Sequence, residues 1–180
     1  MIKNQIAQII SNIQPTDFLE QEHKTETLNW IASGAPIFRI QKPDVPPKHL
    51  VSYFVLLDID ARKILLVDHK KAELWLPSGG HVEPNEDPKE TVRRDCFEEL
   101  AVVADFLFDE PIFITSTQTV GMTAGHWDIS LWYVLKGNSL QTYTYDADEF
   151  NSIKWFDLEN IPLDRSDPHM QRFIEKLKDL

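Results

Sequence analysis

Residues 80–102 read GHVEPNEDPKETVRRDCFEELAV and set six ionisable side chains at spacings suited to divalent-metal phosphate chemistry. Glu86, Arg94, Asp95, Glu98 and Glu99 fall at fixed offsets from Gly80, and Glu83 sits inside the intervening loop. On a helix, Asp95, Glu98 and Glu99 stand at i, i+3 and i+4, so three carboxylates share one face. Water at a surface tolerates that repulsion; a hard cation seated between the oxygens turns it into binding. Mg2+ takes an octahedron of oxygen ligands, commonly a few carboxylates with water and substrate phosphate. The same helix carries Arg94, which a plain solvated acidic face does not require. Just before it, Ser78-Gly79-Gly80-His81 holds two residues without a Cβ, so its backbone is able to approach a cation or phosphate closely.

This stretch resembles the Nudix hydrolase signature, G-x5-E-x7-R-E-U-x-E-E-x-G-U, with U a bulky apolar residue. Gly80 opens the pattern, Glu86 is its first glutamate, Arg94 its arginine, Glu98 and Glu99 its paired glutamates and Val102 its closing apolar position. Asp95 stands where the family has glutamate, Ala101 replaces the last glycine, and Cys96 fills an apolar slot. The resemblance implies metal ligation by the Gly79 carbonyl, Asp95, Glu98 and Glu99. It also implies that Arg94 pairs with Glu86 and orients its neighbours, with Gly80 supporting the site. Aspartate at 95 draws the carboxylate back by about 1.5 Å, a scale to which catalytic geometry is sensitive, so weaker metal binding is expected.

Outside the signature, Glu149 is the candidate distal ligand or general base, because it lies in a loop six residues before Trp155. Glu83 is a candidate for contact with metal-bound water. His126 and Asp128 are two apart on an expected strand and so share a face, either as strand structure or as part of a substrate pocket. Arg39 is a candidate source of positive charge for phosphate. The implied activity is Mg2+- or Mn2+-dependent hydrolysis of the diphosphate bond of a nucleoside diphosphate linked to another moiety, such as a nucleotide, nucleotide sugar or ADP-ribose. A carboxylate, Glu149 or Asp95, is expected to take the proton of the attacking water. Because Asp95 and Ala101 depart from the pattern, a catalytically weakened nucleotide-sensing module is the alternative. An isoprenyl-diphosphate isomerase on the same fold is disfavoured, since that chemistry leans on a catalytic cysteine and the lone Cys96 reads as core.

Composition narrows the field further. Among 180 residues, 18 Lys and Arg face 29 Asp and Glu, a net charge of −11. That balance repels nucleic acid and anionic membranes, so a small-molecule partner is expected and a DNA-binding role is not. Apolar residues at 42% and charged residues at 26% are ordinary for a globular chain. One cysteine suits a reducing compartment. With neither a signal peptide nor a membrane-length apolar run in the sequence, the expected location is cytoplasmic. A homodimer is a family-level expectation.

These residues need a scaffold, and the periodicities supply one. Ile2, Ile6, Ile9, Ile10 and Ile13 recur at helical spacing, and Asp17 offers a cap for a second helix with Phe18, Leu19, Leu28 and Trp30 as its apolar positions. Residues 42–48 hold three prolines and read as a connector. Strands are expected at 49–58 and 63–69, then near 111–120, 127–136 and 152–157, with 74–76 leading into a turn at 77–80. Asp87 and Pro88 start the acidic helix, whose apolar stripe is Val92, Cys96 and Leu100. A helix over 168–178 closes the chain. This order predicts an α/β/α sandwich over a mixed sheet, with a helical N-terminal extension (1–48) packed on a Nudix domain (49–180).

Overall fold

The strand runs pair into one mixed sheet. A computed structural model describes residues 2–42 and 44–180; Pro43, one of the connector's prolines, lies outside the described residues. The strands are β1 (Lys48–Asp58), β2 (Lys63–His69), β3 (Leu74–Leu76), β4 (Ser78–His81), β5 (Phe113–Gln118), β6 (Trp127–Lys136) and β7 (Phe150–Asp157). Their path runs β3-β2-β1-β6-β5, with β4 pairing β1 and β7 pairing β2. The central β1–β6 pair is parallel, in register from Lys48↔Trp127 to Leu57↔Lys136, and the other pairs are antiparallel. Both faces of this centre are buried, which explains why β6 is apolar at odd and even positions alike.

Helices cover the two faces. On one lie α1 (Ile2–Asn12) and α3 (Pro88–Leu100), which bring Ile6, Ile10, Val92, Cys96 and Leu100 into a single apolar cluster with Leu50, Phe54, Leu131 and Tyr133. On the other, α4 (Met170–Lys178) buries Met170, Phe173, Ile174 and Leu177 against Val55, Leu66, Trp132 and Val134. The result is the α/β/α sandwich that the order of elements predicts.

Two local expectations are corrected. Residues 77–80 are not a turn: Ser78–His81 is strand β4, paired with Val51–Phe54 of β1. Glycine is a poor strand former by propensity, but Gly79 has φ near 125°, and a side chain there would lie 2.0 Å from the Ser52 carbonyl oxygen. Close backbone packing, not turn chemistry, requires that glycine. The second correction concerns α2 (Phe18–Ala32). Asp17 caps it, its carboxylate accepting from the Glu20 N–H at 2.9 Å. Its buried face, however, is Glu20, His23, Thr27 and Ile31, while Phe18 is 82% exposed. The buried polar atoms find partners: Lys176 Nζ donates to Glu20 Oε1 (2.6 Å), and His23 Nδ1 accepts the Ser116 N–H of β5 (3.3 Å).

Candidate functional site

The acidic helix is set in place from both ends. Asp87 accepts the Lys89 N–H (2.9 Å) as cap, Pro88 fills the first turn, and Ser52 Oγ of β1 donates to the Pro88 carbonyl (2.9 Å). At its far end Ala101 takes a left-handed conformation, φ 53°, ψ 34°, where a glycine has no Cβ to strain. The residues facing β4 are Asp95 and Glu99, 4% and 9% exposed. Glu98 is different: its side chain is 63% exposed and sits at the rim, 3.8 Å from Arg94. The three carboxylates therefore divide into two buried and one at the solvent edge, rather than lying equally on one face.

Arg94 organises this corner. Its Nε and Nη2 donate to the two oxygens of Glu86 (3.3 and 3.2 Å), Nη2 also to the His81 carbonyl (3.3 Å), and Nη1 to Asp95 Oδ1. Such a fork fixes side chains that would otherwise wander. Thr91 Oγ (2.7 Å) and the Glu83 N–H (3.0 Å) complete the shell around Glu86 Oε2. Burial works to raise Glu86, but Arg94 and these donors hold it below the usual carboxylate range.

Asp95 and Glu99 behave oppositely. Burial pushes Asp95 up to about 7, helped by the charges of Glu98, Glu86 and Glu149 and opposed by Arg94. Burial pushes Glu99 up to about 8, although Ser78 Oγ and the Gly79 N–H (3.1 Å) both donate to its Oε2. Asp95 Oδ2 is buried with no hydrogen-bond partner among the described residues. That oxygen lies directly beneath Gly80, where an added Cβ would come within 3.0 Å of it. Glu149 is exposed, on a loop tied to β2 by the Lys70 N–H donating to its carbonyl (3.0 Å), and its charge acts on both Asp95 and Glu99.

Beside this corner opens a pocket of about 330 Å³ lined by Arg39, Ile40, His81, Val82, Glu83, Pro84 and Arg94. Arg39 and Glu83 thus meet Arg94 across one cleft. His126 and Asp128 lie behind His81, in a cluster the sequence reading did not assemble: His49, His81 and His126 with Asp44 and Asp128. Asp128 Oδ1 is 3.2 Å from Nε2 of both His49 and His126. Burial works to raise Asp128, yet the facing imidazoles hold it at about 2. The signal for this cluster lies in strand register (His49↔Asp128 and Val51↔His81), which no local sequence pattern displays. Among the aromatic residues, Phe38 and Trp132 are core, whereas Trp127 is 43% exposed.

A glycine-bearing strand laid over an acidic helix, locked by an arginine–glutamate fork within an α/β/α sandwich, defines a NUDIX domain. The model of that family matches residues 47–177, and the chain belongs to it. The chain is 28% identical over 110 residues to mouse "Nucleoside diphosphate-linked moiety X motif 6", a match taking in 59% of this chain and 34% of the mouse protein. The chain therefore spans about a third of that relative's length. Among solved structures, the NUDIX domain of Shewanella oneidensis NrtR, complexed with ADP ribose, aligns with a TM-score of 0.57 at 18% identity, over 84% of this chain and 96% of that one. The MutT NUDIX hydrolase of Burkholderia pseudomallei gives 0.56 at 19%, over 71% and 96%. A C. elegans Ap4A hydrolase gives 0.53 at 17%, over 72% and 96%. At these identities the likeness is one of fold.

Proposed function

We propose that the protein hydrolyses a phosphoric anhydride bond in a small nucleotide-type substrate, using Mg2+ or Mn2+. The observation that carries this reading is the pair of buried carboxylates, Asp95 and Glu99, with Asp95 Oδ2 lacking a hydrogen-bond partner among the described residues, beside a cleft walled by Arg39 and Arg94. Two anionic groups desolvated together are unfavourable unless a cation joins them. The donors are all oxygen, which suits a hard dication. The Gly79 carbonyl, Asp95, Glu98, Glu99 and Glu149 would hold it. When bound, the metal neutralises substrate phosphate and lowers the pKa of a coordinated water.

The chain's own residues supply the rest. Arg94 keeps Glu86 and Asp95 in fixed orientations, and with Arg39 it draws phosphate charge into a protein that otherwise repels it. Glu149, whose charge acts on Asp95 and Glu99, would accept the proton of the attacking water, and Asp95 is the other candidate. Glu83 sits in the same cleft, within reach of outer water. The first 48 residues serve as part of the scaffold, since Ile6 and Ile10 belong to the apolar cluster under the acidic helix.

The test is phosphate release with Mg2+ and Mn2+ over nucleoside triphosphates, nucleotide sugars, ADP-ribose and dinucleoside polyphosphates. Glu98→Gln, at an exposed position, is expected to cut turnover by about 100-fold or more with the fold intact. Undiminished activity in that variant sinks the assignment. Binding without turnover across the panel moves the reading to a sensing module, which the Arg94 grip on one oxygen of the shortened Asp95 favours.

A further inference from the structure

Three strands that pair side by side deliver imidazoles to one end of the sheet. His49 lies near the start of β1, His81 ends β4, and His126 immediately precedes β6. Their rings are neighbours, with centroids 4.7 Å apart for His49–His81 and 4.9 Å for His49–His126. Asp44, from the turn before β1, joins them through an oxygen 3.3 Å from His126 Nδ1. One ligand atom from each of these four residues lies within 4.8 Å of all the others. Tetrahedral bonds of 2.0–2.1 Å to zinc place ligand atoms about 3.3 Å apart, so small side-chain adjustments close the set.

Hydrogen bonding then fixes how the rings face. His49 Nδ1 lies 2.9 Å from the Pro46 carbonyl, which only accepts, so Nδ1 carries the proton. With Nδ1 so engaged, Nε2 is the atom left to meet a metal, the carbonyl–histidine arrangement that commonly supports a ligand. His49 is 0% exposed, and its Nε2 has no hydrogen-bond partner among the described residues. His81 Nε2 and Asp128 Oδ1 are buried in the same condition. Asp128 Oδ1 lies 3.2 Å from His49 Nε2. A cation seated among these buried nitrogen and oxygen atoms would satisfy them together.

We propose that His49, His81, His126 and Asp44 form a structural site for a borderline dication, Zn2+ by preference, separate from the carboxylate site on the acidic helix. Nitrogen donors select zinc-like ions over Mg2+, and four protein ligands make a closed, non-catalytic centre. Asp128 adds an outer negative charge, its Oδ1 3.2 Å from Nε2 of both His49 and His126. The ion ties the turn at residue 44 to three strands and stiffens the Arg39–His81 wall of the cleft. It does not depend on the proposed hydrolysis, because its test needs no substrate.

The experiment is calorimetric titration of the chelator-treated full chain with Zn2+ alone and with Mg2+ alone, alongside visible absorption after loading with Co2+. A saturable Zn2+ that Glu98→Gln retains is expected, with a tetrahedral Co2+ spectrum and a rise in Tm larger than equal Mg2+ gives. His126→Gln should weaken Zn2+ at least about tenfold, and Glu98→Gln should leave it unchanged. Asp44→Asn, on a partly exposed turn, decides the matter if His126→Gln does not fold, and it should also weaken binding. No saturable Zn2+ binding overturns the proposal. So does binding indifferent to both His126→Gln and Asp44→Asn, and so does binding lost in Glu98→Gln, which places the ion on the acidic helix.

Discussion

Two parts of this molecule bury acidic side chains and treat them in opposite ways. Between α2 and α4, Glu20 is fully buried, but Lys176 meets one oxygen and the Thr16 N–H (2.9 Å) the other. Beside it, Arg172 forks onto Asp17 at 2.9 and 2.7 Å. In the acidic corner, Asp95 and Glu99 are nearly as buried, yet burial drives both upward and one Asp95 oxygen has no hydrogen-bond partner among the described residues. Charge that is fully paired within the protein holds two elements together. Charge left over, next to a cleft, marks a place where a ligand completes the arrangement. The contrast separates structural from functional acids within one acidic protein.

The sharpest way to break this contrast is to unpair the seam. Lys176→Met leaves Glu20 buried without its cation and is expected to lower unfolding free energy by about 3–5 kcal/mol, read by denaturant titration. Glu20→Gln added to it should restore most of that loss. If the single variant stays within about 1 kcal/mol of the parent, the seam is not the fastening described here.

The two regions should also respond to pH with opposite signs. Asp95 and Glu99, near 3.8 and 4.5 when unfolded, sit at about 7 and about 8 in the fold. The metal-free native state keeps protons that the unfolded chain has released, so this contribution is full below about pH 4 and lost as pH rises through 7 to 8. At the seam, burial holds His23 below its usual range and His169 at about 4, so its contribution is present above pH 6.5 and lost as pH falls through 4. Thermal unfolding with and without Mg2+ separates them: the ion should raise Tm at pH 8, barely at pH 5, and not at all in Asp95→Asn. An equal rise at both pH values removes the carboxylates from the account.

The smallest effect lies at the end of the acidic helix. Ala101→Gly relieves a left-handed alanine and should stabilise by about 0.5–1 kcal/mol without changing the cleft. A loss of stability there means that the alanine methyl packs more usefully than its backbone is strained.

How much of this could be read from residues alone depended on how local each cause is. The Asp87 cap and the Val92–Cys96–Leu100 stripe are set by neighbours within two turns, and they stand as expected, whereas Asp95, Glu98 and Glu99 split into two buried carboxylates and one at the rim. The strands β1, β2 and β6 declared themselves by apolar runs that match their burial. Strand β4 was obscured because glycine carries no strand preference, and its pairing is dictated by β1. The buried face of α2 was obscured because its partners, Ser116 and Lys176, lie some 90 and 156 residues downstream, beyond any periodicity. The imidazole cluster needs the register of three strands before its members are neighbours.

The His23 contact with β5 has a consequence beyond α2 itself. That strand ends the sheet's path, and an exposed edge invites pairing with a foreign strand. A ring nitrogen from residue 23 closes one of its open donors, while the region matching the family model begins at residue 47. Trimming the chain to that match would unveil a sticky border as well as the pocket that Ile6 and Ile10 fill. The outline by which relatives are recognised is narrower here than the body that covers this border of the sheet.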